Sequence, residues 1–102
     1  MNGANARLME KKRMSKVKIF WQETCPNCPQ AKELGKKLAA SGVAVEYHNI
    51  RDSAGLTEAV MHGVMTTPSV VIVADDDSEK AVWRGSTPKF DEVKATLASA
   101  PA

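Results

Sequence analysis

Two cysteines, the only two in the chain, stand three positions apart in Cys25-Pro26-Asn27-Cys28. The apolar run Val17-Lys18-Ile19-Phe20-Trp21 precedes them and a helical pattern follows, so the pair falls on a strand-to-helix turn. A thiol at a helix N-terminus lies near the positive end of the helix dipole and near unpaired backbone N–H groups. Both favour thiolate over thiol, and the thiolate is the nucleophile in disulfide exchange. The second cysteine, one turn along, can then attack the mixed disulfide that the first one makes.

Two other readings of the pair stand beside this one. The cysteines can be half of a zinc site, but structural zinc takes four ligands. The remaining soft ligands, His48 and His62, fall on separate elements without paired spacing and read as satisfied surface or strand histidines. The pair can also be a static disulfide, although two cysteines in 102 residues do not make a disulfide scaffold. A redox dithiol with no metal and no bound cofactor fits the spacing best.

A chain of this length is one domain with its own core. Apolar residues at 43% and charged residues at 25% are ordinary for a globular protein. The longest apolar run, Val70 to Ala74, is too short to span a bilayer. No apolar stretch of a secretory leader follows the first charges, which leads to the expectation of a cytoplasmic protein. Arg7, Lys11, Lys12 and Arg13 against Glu10 give residues 1–14 a charge of +3, leaving −1 of the total +2 for the other 88 residues. Residues 1–14 are therefore expected to be a disordered basic tail and 15–102 the domain. The domain carries no broad basic surface for nucleic acid.

Residues 16–22 are expected to form a strand, and Pro26–Ser41 a helix with Ala31, Leu34 and Leu38 on its buried side and Lys32, Lys36 and Lys37 in solvent. Gly35 shares the buried face, where it can let the helix approach the sheet, and Gly42 stops the helix. Val43–Asn49 alternates as a strand. Asp52 or Ser53 can cap a short helix carrying Leu56, Ala59 and Val60, with Met61 expected in the core. Ser69–Ala74 is a buried strand, Asp75-Asp76-Asp77-Ser78 a turn, and Lys80–Arg84 the returning strand of a hairpin. Thr87 and Pro88 are expected as N-cap and first residue of a last helix, with Phe90, Val93 and Leu97 buried. The order β-α-β-α-β-β-α makes an α/β fold: a four-stranded mixed sheet with helices on both faces.

That order, with the dithiol between the first strand and first helix, resembles the thioredoxin fold over about residues 15–99. Phe20-Trp21-Gln22-Glu23-Thr24-Cys25 is similar to the approach to the thioredoxin active site. Gly63-Val64-Met65-Thr66-Thr67-Pro68-Ser69 is similar to the thioredoxin loop that ends in a cis-proline. Cys25-Pro26-Asn27-Cys28 resembles the Cys-Pro-aromatic-Cys of glutaredoxins with Asn27 in place of the aromatic. Trp83-Arg84-Gly85 with Pro88 resembles a stretch of small glutaredoxin-like redoxins that reduce ribonucleotide reductase. Three departures accompany these likenesses. Gln22 stands where glutathione-using glutaredoxins carry lysine, Gly85-Ser86-Thr87-Pro88 stands where they carry Gly-Gly and then Asp, and Ile19 stands where thioredoxins carry a buried acid.

The resemblance implies a protein-disulfide oxidoreductase in which Cys25 attacks and Cys28 resolves. Pro26 and Asn27 set how tightly the disulfide closes. Thr67, before a cis Pro68, offers backbone N–H and C=O to an extended substrate, and Trp21 shields the dithiol or only packs in the core. The implied partners are a disulfide-bearing protein, with ribonucleotide reductase a candidate client, and thioredoxin reductase or glutathione as electron donor. A glutathione-dependent glutaredoxin is the nearest alternative, and a non-catalytic thiol or metal-binding module is the alternative of another class. A monomer is expected.

Overall fold

The computed structural model describes residues 15–98. The expected tail, residues 1–14, lies outside the described residues. The chain forms four strands, β1 (Lys16–Trp21), β2 (Ala44–Asn49), β3 (Ser69–Val73) and β4 (Glu79–Arg84), and three helices, α1 (Cys28–Ala40), α2 (Ser53–Met61) and α3 (Phe90–Ala98). The sheet order is β2-β1-β3-β4. β1 and β2 are parallel, as a strand–helix–strand crossover requires. β1 pairs antiparallel with β3, and β3 with β4 in a hairpin. This is the expected β-α-β-α-β-β-α order and mixed sheet.

The alternation of side chains along β1 divides the core in two. Val17 and Ile19 join Val70 and Ile72 of β3 under α1 and α3, which contribute Ala31, Leu34, Leu38 and Val93. On the other face Phe20, Val71 and Val73 pack with Ala59 of α2 and with Val64. Both central strands are therefore covered on both sides, and all five residues of β3 are buried.

Helix α1 starts later than the expected Pro26, at Cys28, with Asn27 at its N-cap. Its stop is as expected: Gly42 takes a φ of 91°, a left-handed conformation that costs glycine little. Gly35 does bring α1 onto the sheet, since a Cβ there would collide with the Tyr47 hydroxyl and lie 2.8 Å from Ile19 Cδ1. In α3 the expected cap is displaced. The helix begins at Phe90, the Glu92 carboxylate accepts the Lys89 N–H at 3.2 Å, and the buried Thr87 hydroxyl makes no hydrogen bond.

Met61 is not core. It is 70% exposed, and Leu56 and Val60 are also exposed, because α2 lies against the sheet through its small residues Gly55 and Ala59. A Cβ on Gly55 would overlap the Asn49 carbonyl, so the helix rests on the end of β2 with no room for a larger side chain. His62, expected at the surface or on a strand, is buried just after α2. Its Nδ1 lies 2.7 Å from Glu79 and its Nε2 lies 3.2 Å from the buried Lys18 ammonium, which also donates to Glu58. Among the described residues no helix is long and apolar enough to cross a membrane.

Candidate active site

The two sulfurs meet where β1 hands the chain to α1. β1 ends at Trp21, and a tight turn follows in which the Cys25 N–H donates to the Gln22 carbonyl and the Cys28 N–H to the Cys25 carbonyl, both at 3.3 Å. Cys28 is the first residue of α1, and Pro29 follows in the first turn, where a missing N–H costs little. This places Cys25 and Cys28 with Cα atoms 5.4 Å apart, joined as a disulfide. Cys25 precedes the helix and is 7% exposed; Cys28, inside it, is 2% exposed. The more exposed residue of the pair is thus the one ahead of the helix.

A groove of about 240 Å³ opens beside the disulfide, lined by Trp21, Gln22, Glu23, both cysteines, Pro29 and Lys32. Trp21 stands in this lining. Lys32, expected in open solvent, has its ammonium 3.5 Å from the centroid of the Trp21 ring. It returns on the second turn of α1 to the side that Trp21 occupies, and the ring's electron-rich face holds the cation there. Glu23 is exposed, and Pro26 and Asn27 form the exposed turn between the sulfurs without lining the groove. Ile19, in place of an acid, is fully buried in the apolar core under α1.

Across from the turn runs the loop from α2 to β3. The Thr67–Pro68 peptide bond is cis, as the resemblance implied, and Pro68 is buried. Arg84, Ser69 and Gln22, none of them expected in such a role from the sequence, hold this loop. Arg84 donates to the His62 carbonyl at 3.0 Å and the Gly63 carbonyl at 3.1 Å, fixing its start. Ser69 donates to the Thr66 carbonyl at 2.7 Å and accepts the Gly85 N–H at 3.2 Å, fixing its end. Gln22 Nε2 donates to the Thr67 hydroxyl at 3.0 Å and ties the loop to the dithiol turn.

His48 stays away from the sulfurs. It stacks on Phe20 and bonds to Glu46 at 3.0 Å on the far face of the sheet. Neither histidine joins a metal site, and among the described residues no group of three or more His, Cys, Asp or Glu side chains is placed to hold a metal ion.

Comparison with known proteins matches residues 15–98 to the family described as thioredoxin domain. A thioredoxin of Methanocaldococcus jannaschii is 39% identical over 67 residues, which make up 61% of this chain and 76% of that protein. A probable thioredoxin of Archaeoglobus fulgidus is 35% identical over 60 residues, 58% of this chain and 66% of the other. Among solved structures, a mutant thioredoxin from Halobacterium salinarum superposes with a TM-score of 0.72 at 19% identity, covering 98% of this chain and 86% of that one. A thioredoxin-like protein from Clostridium perfringens gives 0.72 at 15% identity over 87% and 72% of the two chains. At such identities the structural likeness is one of fold.

Proposed function

The chain belongs to the thioredoxin-domain family and is a thiol–disulfide oxidoreductase, and from that premise we propose that it reduces protein disulfides, with Cys25 as nucleophile and Cys28 as resolving thiol. The observation that carries the reading is the Cys25–Cys28 disulfide at the N-terminus of α1, opening on a groove whose lining residue Gln22 is bonded to Thr67. In the reduced protein the Cys25 thiolate attacks one sulfur of a substrate disulfide. A mixed disulfide forms and the first substrate thiolate leaves. Cys28, losing its proton, attacks Cys25. The intramolecular disulfide forms, the second substrate thiolate leaves, and the two protons of the dithiol end on the product. The positive end of α1 stabilises the charge that collects on sulfur during both steps.

Pro26 and Asn27 set the closure of the four-residue ring, Trp21 walls the groove, and the Thr67 backbone pairs with the main chain flanking the target disulfide. The donor that restores the dithiol is a thioredoxin-reductase-type enzyme. Glutathione is the weaker donor in this reading, because Gln22 is neutral and its amide is engaged by Thr67. Ribonucleotide reductase is a candidate client, and the setting is a reducing compartment such as the cytoplasm, with the protein acting as a monomer.

Reduction of insulin, with dithiothreitol as electron source, tests the activity. Comparison of thioredoxin reductase with the glutathione system, each fed by NADPH, tests the donor. Turnover that disappears in Cys25→Ser and runs on thioredoxin reductase is expected. Absence of turnover in the wild-type protein overturns the reading, and recycling by glutathione alone turns it to a glutaredoxin.

A further inference from the structure

We infer that Gln22 is a positioning residue for protein substrates: it closes the open end of the β1–β3 ladder and so fixes the Thr67 backbone relative to Cys25. The inference rests on the reading of the chain as a protein-disulfide reductase. The paired backbone of β1 and β3 stops at Phe20 opposite Ser69. Continued by the same antiparallel register, Trp21 would face Pro68 and Gln22 would face Thr67. Proline has no N–H to offer the ladder, so backbone pairing ends there. Two residues further on, the Gln22 amide donates to the Thr67 hydroxyl at 3.0 Å and continues the closure with side chains.

Gln22 has a second hold, on the other side of the gap. Its carbonyl accepts the Cys25 N–H and so begins the turn that presents the sulfur. A single residue thus joins the attacking sulfur's turn to the residue offered for strand pairing. Arg84 and Ser69 anchor the loop to β4 and to itself, but neither bond reaches the dithiol turn. An extended substrate paired to Thr67 delivers its disulfide to Cys25 only if this spacing holds, and a misplacement of about 1 Å can cost up to about a hundredfold in rate. A small disulfide with no flanking main chain does not use the pairing. Gln22 therefore governs preference for protein over small-molecule disulfides.

The test compares kcat/KM for insulin with kcat/KM for the small disulfide DTNB, in variants whose folding is checked by circular dichroism. Gln22→Ala is expected to lower the insulin-to-DTNB ratio about five- to tenfold, the scale of one hydrogen bond, chiefly by raising KM for insulin. Thr67→Val is expected to lower it equally, and the double variant no further, since both remove the same bond. Thr67→Ser, which keeps a hydroxyl, is expected to restore the ratio. The Cys25–Cys28 reduction potential is expected to stay constant across the series. A ratio within about twofold of wild type in Gln22→Ala, additive losses in the double variant, or a shifted potential would overturn the inference. A wild-type protein that reduces DTNB but not insulin overturns the functional reading, and this inference with it.

Discussion

The Lys18 ammonium lies 3.2 Å from His62 Nε2 in the buried layer beneath α2. Lysine can only donate, so Nε2 accepts, and Nδ1–H is left to donate to Glu79 at 2.7 Å. Lys18 also donates to Glu58 at 2.8 Å. The cluster joins β1, α2, the start of the Thr67 loop and β4, on the sheet face turned away from the disulfide helix.

Lys18→Ala removes the cation to which the Glu58 carboxylate and His62 Nε2 are both bonded. Because Lys18 is buried and Glu58 partly exposed, losing the pair costs about 1–3 kcal/mol, which for a domain of this size lowers Tm by about 5–15 °C. Thermal denaturation followed by circular dichroism checks this, and a drop under about 3 °C would count against a structural role for the cluster.

Stability should also fall in acid through Glu58. The hydrogen bond from Lys18 holds its carboxyl below the ordinary value of 4.5, against the smaller opposing effect of burial. A depressed folded value means that the stabilisation is complete above the unfolded value and is lost as pH falls through the folded one. Asp77, His62 and Glu79 border the same cluster, so Glu58→Gln isolates its share. Between about pH 6 and about pH 3 the wild-type Tm should fall more steeply than that of Glu58→Gln. Parallel curves would remove Glu58 from the account.

The two cysteines should part in behaviour once separated. Cys28→Ser retains the attacking sulfur and loses the resolving one, so it should accumulate a mixed disulfide with substrate, visible on a non-reducing gel and by mass. Cys25→Ser should give no adduct and only the uncatalysed rate of insulin reduction. Adducts of equal yield through either sulfur would contradict the difference in their exposure.

Gly55→Ala sets helix propensity against packing. Propensity favours alanine inside α2 by about 1 kcal/mol. The new methyl, however, would overlap the Asn49 carbonyl, a backbone atom with no freedom to swing away. A net loss of about 1–3 kcal/mol is expected. Gly35→Ala should cost less, because one of its obstacles is the half-exposed Tyr47 side chain, which can rotate. Urea titrations of the two variants decide the order, and the reverse order would show that α2 shifts more readily than Tyr47.

Much of this was legible because strand and helix periods differ. Ala31, Leu34 and Leu38 could be assigned to one face of α1, and the apolar run of β3 to the centre of the sheet. Cys25 and Cys28 marked the candidate site by spacing alone. The pattern failed at α2, whose Leu56 and Val60 are exposed, as is Met61, expected in the core. There the close contact belongs to Gly55 and Ala59, and small residues carry almost no weight in a hydrophobic pattern. Lys18 and His62 were hidden for a different reason. A buried ion cluster is assembled by partners distant in sequence, so neither residue carries a local trace of the other. Gln22 was noticed only for the lysine it replaces; its bond to Thr67 spans 45 positions and appears only when β1 and β3 are paired.

The two faces of the sheet are glued by different chemistry, and they should open at different times. Under α1 and α3 the buried cluster is made of apolar side chains, whereas under α2 the buried layer includes Lys18 and His62, with their carboxylate partners at its edge. Salt and acid weaken charged contacts and leave apolar ones nearly untouched. Deuterium should therefore enter the amides of α2 before those of α1 as pH is lowered toward about 4, through local opening rather than global unfolding. The helix that presents the disulfide would then keep its protection after its counterpart on the other face had begun to breathe.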